Sequence, residues 1–440
     1  MSFPRYEEYK DSGVEWLGEL PSHWEALPNK VAFRQVKAEV GDAWSDTQLL
    51  SLTLRGVVNR DIDSGDGKYP ADFGNYQIVE PQDLVMCLFD MDETPRTVGL
   101  SGSRGMITSA YDVFRCNPDV DPAYVCYFYR HVDSHKGLRP FYTGLRKTVR
   151  TPTFLSIKMP IPPLGEQKSI ASFLNRETSK IDALVAEQRR LIELLKEKRQ
   201  AVISHAVTKG LDPNVRMKPS GIEWLGDVPE NWQMKRLKHI SPFISVGIVV
   251  NPSSYISENP DDLPFIYGGD IREGIIDWPN SRRISASDSA LQEKTRLQTD
   301  DILVVRVGAP GVAAVVPKAC EGGNCASVML VRKGSFNSQW LCYVMNTPVV
   351  RFQVEVVEYG AAQKQFNIAH AVDFWAPVSG RSEQDRIASH LDKRIGELNQ
   401  LQIEADRAIT LLQERRTALI SAAVTGKIDV RKIDNTETAA

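Results

Sequence analysis

Side chains suited to catalysis or metal binding are few and scattered in this chain. His131 and His135 lie four residues apart on a predicted helix, but HVDSH lacks the glutamate of a zinc protease motif, so surface or core histidines are the simpler interpretation. VGAPG lacks the Lys-Ser/Thr of a phosphate-binding loop, and neither NPDV nor NPSS matches the Asn-Pro-Pro-aromatic loop of adenine methyltransferases. We therefore predict no catalytic, metal or cofactor site, and expect this chain to bind neither S-adenosylmethionine nor ATP.

A basic segment in the first half has chemistry that suits nucleic acid. From Ser134 to Gly165 there is no acidic residue, and aromatic side chains lie among the cations. Lysine and arginine neutralise phosphates and release counterions, and arginine also reads guanine edges. The alternative is a solvated basic loop. The candidate DNA-binding residues here are Lys136, Arg139, Arg146, Lys147 and Arg150, with Lys158 beyond them.

The second half offers weaker candidates. Amide side chains that pair well with adenine follow Tyr359, although polar turns carry the same residues without touching DNA. A short basic run near residue 236 suits phosphate contacts, with an ordinary helix surface as the alternative. The candidates are Gln363, Lys364, Gln365 and Asn367 in the first group and Lys235, Arg236 and Lys238 in the second.

Two stretches of the chain occur twice. GVEWLGELPSHW (Gly13–Trp24) returns as GIEWLGDVPENW (Gly221–Trp232), a pattern called the tryptophan motif below. Residues 166–208 align without a gap with residues 383–425, and twenty of the 43 positions are identical. The inserts between these stretches have only weak sequence similarity, such as the aspartates of PQDLVM and TDDILVV and a Cys-Tyr pair. The chain is therefore an internal duplication with two divergent inserts.

The long repeats are predicted helices that pack on each other. Apolar residues recur at three- and four-residue steps, the spacing of a coiled-coil stripe. About a dozen residues join the first helix to the second tryptophan motif and reach at most ~40 Å, which favours an antiparallel pair. The tail VTGKIDVRK echoes VTKGLDPNVRMK, so we expect the C-terminus near the start of the chain. The predicted seam residues are Leu174, Ile181, Leu184, Leu191, Leu195 and Val202 on the first helix and Leu391, Leu398, Leu401, Ala408, Leu412 and Leu419 on the second.

Composition bounds the class of protein. The 440 residues are too many for one ordinary core, and 42% hydrophobic with 25% charged residues is typical of a soluble globular chain. No segment approaches the ~20 apolar residues of a membrane span, and the N-terminus lacks a signal peptide's order, so we expect a cytoplasmic protein. The net charge of −3 restricts nucleic-acid binding to local patches. Six cysteines without a CxxC pair are expected to be reduced and mostly buried.

The predicted fold class is α+β, with two mixed α/β domains separated by an antiparallel coiled coil of two long helices and related by a pseudo-twofold repeat. Each insert alternates β-like runs (DLVMCLF, AYDVFRC, DILVVRV, ASVMLVR) with turns and contains one helix-like segment, YVCYFYRHV or WLCYVMNTP. The expected boundaries are 1–160 for the first domain, 164–208 for the first helical spacer, 209–380 for the second domain with its linker, 382–427 for the second spacer, and 428–440 for a flexible tail.

This layout resembles the specificity (S) subunit of type I restriction-modification systems, the HsdS family. The resemblance rests on the two tryptophan motifs, the helical repeats that open with P…EQ, and the segment GMITSAYDVF, and it covers nearly the whole chain. It implies two target recognition domains, each reading one half of a split double-stranded DNA target, and helices that set the spacing and dock two modification subunits. Those prokaryotic partners would bind S-adenosylmethionine and methylate adenine, and restriction subunits would use ATP and Mg. This chain itself would be non-catalytic.

Two other functions stay open from the residues alone. The helices would also suit an adaptor that joins proteins without reading DNA, and a stand-alone DNA methyltransferase is the less expected alternative. Methyl transfer by the isolated chain would identify the enzyme. The salt dependence of DNA binding would separate a DNA reader from an adaptor.

Overall fold

The computed structural model describes residues 3–61, 73–360 and 364–433, and the chain divides into two compact units. Unit 1 comprises Met1–Arg189 with Arg407–Ala440, and unit 2 comprises Arg190–Asp406. Each unit therefore combines one divergent insert with part of both long helices, whereas the sequence-based boundaries separated domains from spacers.

Unit 1 is a mixed α/β unit around an antiparallel sheet with the strand order β4-β11-β8-β9. Its strands are β1 (Tyr9–Asp11), β2 (Glu19–Pro21), β3 (Glu25–Pro28), β4 (Phe33–Val36), β5 (Leu50–Thr53), β6 (Gly56–Asn59), β7 (Gln77–Val79), β8 (Leu84–Met86), β9 (Val98–Leu100), β10 (Gly105–Ile107), β11 (Asp112–Cys116) and β12 (Lys158–Ile161). Its helices are α1 (Asn29–Ala32), α2 (Pro122–Ser134), α3 (Thr151–Ser156) and the first part of α4 (Leu164–Lys209).

Unit 2 is built around a second antiparallel sheet, ordered β16-β24-β21-β22. Its strands are β13 (Met217–Pro219), β14 (Asp227–Pro229), β15 (Gln233–Arg236), β16 (Ile244–Val246), β17 (Leu263–Ile266), β18 (Ile271–Arg272), β19 (Ile275–Ile276), β20 (Arg282–Ile284), β21 (Ile302–Val304), β22 (Ala313–Val315), β23 (Asn324–Cys325), β24 (Met329–Val331) and β25 (Trp375–Val378). Its helices are α5 (Ala286–Leu291), α6 (Ser338–Met345), α7 (Pro348–Val357), α8 (Ile368–Ala371) and the first part of α9 (Arg381–Val424), whose end belongs to unit 1.

The two inserts share a central four-stranded sheet, a hairpin and a closing ribbon although their sequences have diverged, while their remaining strands pair differently. In each unit a small hairpin, β1 with β2 or β13 with β14, carries the tryptophan motif. A two-stranded ribbon, β3 with β12 or β15 with β25, closes the insert before the long helix. The predicted β-like runs contain β8, β11, β21 and β24, and the two helix-like segments form α2 and α6, so the mixed α/β class is confirmed.

In each sheet an ion pair between a buried aspartate and an arginine joins two strands. This pair explains why an aspartate recurs in PQDLVM and TDDILVV. Asp83, just before β8, accepts from Nε and Nη2 of Arg115 on β11 at 2.7 and 2.8 Å. Asp301, just before β21, accepts from Nη1 of Arg332 after β24 at 2.6 Å. Both aspartates are buried, and a buried carboxylate is costly without such a partner. The same charge pair therefore joins corresponding strands in both units.

The two long helices pack antiparallel. In unit 1, Leu174 near the start of α4 shares a hydrophobic core with Leu419 and Val424 near the end of α9. In unit 2, Ile203 and Val207 near the end of α4 share a core with residues at the start of α9. Arg416 Nε lies 3.0 Å from Asp182 Oδ1 at the edge of the unit 1 pair. The antiparallel coiled coil is thus confirmed within each unit.

Three predicted seam positions are wrong. Leu184, Leu191 and Leu401 are 45%, 40% and 48% exposed. Val185 and Ile192 are buried instead of Leu184 and Leu191. The buried stripe advances four residues from Ile181 to Val185, whereas the predicted stripe advanced three residues to Leu184. On α9 the buried residue is Ala405. Of the other predicted seam residues, Leu174, Ile181, Leu195, Leu391, Leu398 and Leu419 are buried, and Val202, Ala408 and Leu412 are partly buried.

The C-terminal segment packs on the start of the chain. The backbone N–H of Asp429 donates to the carbonyl of Pro4 at 2.9 Å, and Lys432 Nζ lies 3.0 Å from Glu7 Oε1. Ile428 and Val430 are buried in the core of unit 1. The prediction of a flexible tail from residue 428 is therefore wrong for residues 428–433, because their apolar side chains complete that core.

The cysteines have the reduced and mostly buried state that the sequence predicts. All six cysteines are free thiols, and Cys87, Cys320, Cys325 and Cys342 are buried. Among the residues that the structure describes, no helix is both long and apolar enough to cross a bilayer.

Candidate nucleic-acid interface

The tryptophan motif is anchored to the first helical repeat through one buried carboxylate. Glu166 Oε1 accepts from the indole Nε1 of Trp24 at 3.1 Å and from the hydroxyl of Tyr6. Its Oε2 lies 2.8 Å from Nε2 of His23. Burial first, and then the bond to Glu166, raise the pKa of the Tyr6 hydroxyl well above its usual value. Three donors therefore hold a carboxylate that water barely reaches.

The second copy repeats this anchor with fewer donors. Trp232 Nε1 donates to Glu383 Oε2 at 3.0 Å, and Asn231 replaces the histidine at a long 3.5 Å. Trp24 and Trp232 are both fully buried. The glutamate of each P…EQ repeat thus binds the tryptophan of its own motif, a role that the sequence analysis missed although both residues recur in both halves.

The glutamine of each repeat binds the helix that follows the sheet. Gln167 Oε1 accepts from the backbone N–H of Asp121 at 2.8 Å, and Asp121 caps α2 by accepting from the N–H of Tyr124. Gln384 Oε1 accepts from the N–H of Asn337 at 2.8 Å, and Asn337 caps α6 in the same manner. A side-chain acceptor at this position satisfies a helix-terminal N–H.

The tyrosine of each Cys-Tyr pair adds a third matched bond. The hydroxyl of Tyr127 donates to Asn175 Oδ1 at 2.8 Å, and the hydroxyl of Tyr343 donates to Asp392 Oδ1 at 2.6 Å. Asn175 and Asp392 occupy the same position of the two aligned repeats. Each divergent insert is therefore fixed to its helix by tryptophan, helix-cap and tyrosine contacts in the same arrangement.

The predicted basic loop is largely neutralised by an acidic turn, Asp90–Glu93, that lies about fifty residues upstream. Arg146 Nη2 pairs with Asp90 Oδ2 at 2.6 Å, and its guanidinium lies 4.7 Å from the centre of the Phe89 ring. Lys147 Nζ pairs with Glu93 at 2.8 Å and with Asp92 at 3.1 Å. Hydrogen bonds lower the pKa of all three carboxyl groups: from Arg146 to Asp90, from Arg139 and then Lys147 to Asp92, and from Lys147 to Glu93.

The other cations of this segment differ in exposure. Lys136 is mostly buried and donates to Asp133 Oδ1 at 2.9 Å and to the carbonyl of Thr94 at 3.0 Å, so its ammonium group supports local structure. Arg139 is 63% exposed and pairs with Asp92 at 3.1 Å. Arg150, just before α3, and Lys158, on β12, are exposed. The DNA-binding role of this segment stays a prediction.

The short basic run lies on and after β15 rather than on a helix. Arg236 Nη1 and Lys238 Nζ both pair with Asp373, at 2.8 and 2.6 Å, and their hydrogen bonds lower the pKa of that carboxyl group. The Arg236 guanidinium also lies 5.0 Å from the centre of the Trp375 ring. Lys235 is partly exposed on the same strand. These contacts brace the closing ribbon of unit 2.

The polar turn of unit 2 adjoins the VGAPG segment. The N–H of Gly308 donates to the carbonyl of Lys364 at 3.1 Å, and Gln365 exchanges backbone hydrogen bonds with Tyr359. Lys364 pairs with Glu358, and the Asn367 side chain caps α8 by accepting from Ala369. Gln363 lies outside the described residues. The Asn367 amide oxygen is thus engaged locally, and base reading by this turn stays a prediction.

The two histidines lie side by side on α2 and just after it. Their ring centres are 4.7 Å apart, and Nδ1 of His131 is buried without a hydrogen-bond partner among the described residues. Burial lowers the pKa of His131 to about 4, with smaller contributions from His135 and Lys427. Within the described part of the chain, no cluster of three or more His, Cys, Asp or Glu side chains suits a metal ion.

The fold and its anchors define a class of protein. Its helical scaffold is duplicated, and each copy holds a domain with the same central sheet but a different sequence. A search against protein-family models finds no match. A putative type I restriction enzyme specificity subunit, MjaX, from Methanocaldococcus jannaschii is 22% identical over 98% of this chain and 99% of that protein. The EcoBI specificity subunit of Escherichia coli is 25% identical over 64% of this chain and 60% of its own length.

Solved structures give the same fold. A chain from a study of assembly and conformational transition in a type I restriction-modification system has a TM-score of 0.69 at 15% identity, covering 92% of this chain and 98% of that one. The HsdS subunit of Thermoanaerobacter tengcongensis has a TM-score of 0.52 at 15% identity, covering 93% and 98%. Over most of its length the chain is therefore similar in sequence and fold to type I restriction enzyme specificity subunits.

Proposed function

We propose that this chain is the DNA-specificity subunit of a type I restriction-modification complex. The observation that carries the proposal is the repeated anchoring: two inserts with the same central sheet are held on duplicated helices by matched contacts, while their remaining strands pair differently. Identical supports with different surfaces suit a protein that reads two different half-sites. Each insert would read one half of a bipartite double-stranded DNA target.

The duplicated helices would set the spacing between half-sites and dock two modification subunits. Half-sites about one duplex turn apart, ~34–36 Å, would let both domains approach one face of the DNA. Matching helical surfaces suit two copies of one partner, because a repeated scaffold presents the same contacts twice. We place the activity in the cytoplasm of a prokaryotic cell, where the DNA and the partner subunits lie.

This chain would determine which DNA sequence is bound and would catalyse no reaction itself. S-adenosylmethionine would belong to the modification subunits, which methylate adenine, and ATP with Mg to the restriction subunits, which translocate and cut DNA. The proposal rests on the relatives, which are described as specificity subunits. His131 packs against His135, and the VGAPG turn bonds to the neighbouring loop, which is compatible with a non-catalytic role.

The decisive experiment maps methylated adenines in the host genome with and without this gene. A split motif that disappears on deletion, and returns when the gene is supplied from a plasmid, is the expected result. An unchanged methylation pattern, in cells that express both modification and specificity subunits, would contradict the proposed function.

A further inference from the structure

Two adjoining clefts of unit 1 contain a row of arginines that the sequence analysis did not single out. The larger cleft, about 320 Å³, lies beside α2 and the end of α9 and includes Arg96, Arg130 and Arg416. A smaller cleft of about 150 Å³ shares Arg96 and Arg130 and ends at Arg55 on the β5–β6 turn. The clefts and their four arginines are called the arginine groove here.

The two central arginines of this groove have no carboxylate partner among the described residues, whereas Arg416 at its end pairs with Asp182. Within the described part of the chain, neither Arg96 nor Arg130 forms an ion pair or a hydrogen bond to a carboxylate, and Arg130 only stacks 5.2 Å from the centre of the Tyr127 ring. Burial lowers the pKa of the Arg130 guanidinium, and the neighbouring Arg416 and Arg96 lower it further. Like charges held together in a partly buried cleft create a positive potential that an anion would relieve.

The larger cleft is also lined by Asp92 and Asp133, and these carboxylates already have partners. Asp133 Oδ1 accepts from Lys136 at 2.9 Å, and Asp92 pairs with Arg139 and Lys147, each at 3.1 Å. Asp182 is paired with Arg416 at 3.0 Å. This is the reverse of the predicted basic loop, whose cations face the acidic turn. Among the described residues, Arg96 and Arg130 of the groove thus have no carboxylate partner, whereas Arg146 and Lys147 of that loop are paired.

The central Arg130 of the groove has no arginine counterpart in unit 2. Three residues after the paired tyrosines, Arg130 on α2 corresponds to Asn346 at the end of α6. The Asn346 amide donates to the carbonyls of Ala313 and Cys342 at 2.8 and 3.0 Å and accepts from the N–H of Ala313 at 3.0 Å. Its hydrogen-bonding capacity is thus used inside the fold. Arg130 at the centre of the groove therefore belongs to the first insert, whereas Arg416 at its end lies on the helical repeat α9.

We propose that the arginine groove holds the phosphodiester backbone of DNA, through Arg96 and Arg130 at its centre and Arg55 and Arg416 at its ends. A row of guanidinium groups across two adjoining clefts suits a polyanion with regularly repeated charges better than a single carboxylate side chain. Guanidinium groups match phosphate oxygens with paired hydrogen bonds, so the contact positions DNA without reading its sequence. The inference rests on the proposed function and assigns its backbone contacts in unit 1.

The test is a salt titration of DNA binding by the full chain, followed by fluorescence anisotropy with a labelled duplex. The double variant Arg96→Gln with Arg130→Gln should lower the log–log salt slope by about two, since each lost phosphate contact lowers it by about one. The matched control is Arg146→Gln with Lys147→Gln, which removes the same charge from the neutralised loop and should change the slope by less. Arg130→Lys keeps the charge and should retain most of the wild-type slope.

Several results would overturn the inference. A double variant with the wild-type slope, or one changed no more than the loop control, would remove the groove from the DNA contacts while leaving the proposed function intact. A variant that binds DNA normally but no longer assembles with modification subunits would assign the groove to acidic side chains of a protein partner. A wild-type chain that binds no DNA, alone or with its partners, would reject the proposed function as well. Equal thermal unfolding temperatures of wild type and variants would show that a lower salt slope does not come from unfolding.

Discussion

The indole nitrogen of Trp24 donates a hydrogen bond of 3.1 Å to the Glu166 carboxylate, and both side chains are buried. The corresponding bond joins Trp232 to Glu383 at 3.0 Å. The two stretches that occur twice in the sequence are therefore the two sides of one contact. This contact attaches each insert to the long helix that follows it, so both sides had to be kept together when the inserts diverged.

Removing the first anchor should destabilise the fold more than removing the second. Glu166→Ala leaves Tyr6, His23 and Trp24 without their shared acceptor, and we expect a loss of roughly 3–5 kcal/mol in the free energy of unfolding. Glu383→Ala removes the acceptor of only Trp232 and of the long bond from Asn231, so the loss of unfolding free energy should be smaller. Urea denaturation followed by circular dichroism measures both. Equal losses would contradict the interpretation.

Acid should destabilise unit 1 through His131. Its pKa is about 4 in the folded chain and about 6.5 in an unfolded one, so between these values only the unfolded state takes up the proton. The free energy of unfolding should therefore fall as the pH is lowered from 6.5 to 4, by about 1–2 kcal/mol once partial solvent exposure is allowed for. His131→Gln should flatten this part of the stability profile, and His135→Gln is the matched control. An unchanged profile in His131→Gln would count against a buried neutral imidazole.

Exchanging one insert should change one half of the DNA target. Residues 29–157 lie between the strands of the first closing ribbon, and residues 237–374 between those of the second. Replacing either segment with the corresponding segment of a relative keeps the Trp–Glu anchor, so the hybrid should fold. Mapping of methylated adenines should then show one new half-site and one old one. A hybrid in which both half-sites change would mean that the inserts do not read DNA independently.

Shortening both helices should shorten the spacer. Deleting residues 188–194 together with residues 402–408 removes one heptad from each helix and keeps the register of the buried stripe on both sides. The half-sequences should stay the same while the distance between them falls, or binding should be lost. Deleting the heptad from α4 alone is the control and should disturb folding, since the two stripes no longer match. An unchanged spacer in the double deletion would show that the helices do not set the distance.

The sequence predicted elements with strong local signals and missed relationships that depend on distant contacts. The helical repeats, α2, α6 and the main strands followed from periodicity and repetition. Leu184, Leu191 and Leu401 were misassigned because a stripe of three- and four-residue steps can drift by one position when many leucines are available. The neutralised basic loop was missed because Asp90 and Glu93 lie far upstream of Arg146 and Lys147. The arginine groove was missed for the same reason, since its residues come from four separate elements.

The bond from Asp429 to Pro4 places the segments around these two residues side by side in unit 1. A short linker from residue 433 to residue 3 can therefore join these segments, and the chain can be reopened in the exposed segment that follows α4, giving a circular permutant in which the second half is translated first. Such a permutant should retain the target of the parent, because the order of synthesis is not part of the recognition surface. Gene rearrangement can thus reshuffle the halves without redesigning the architecture.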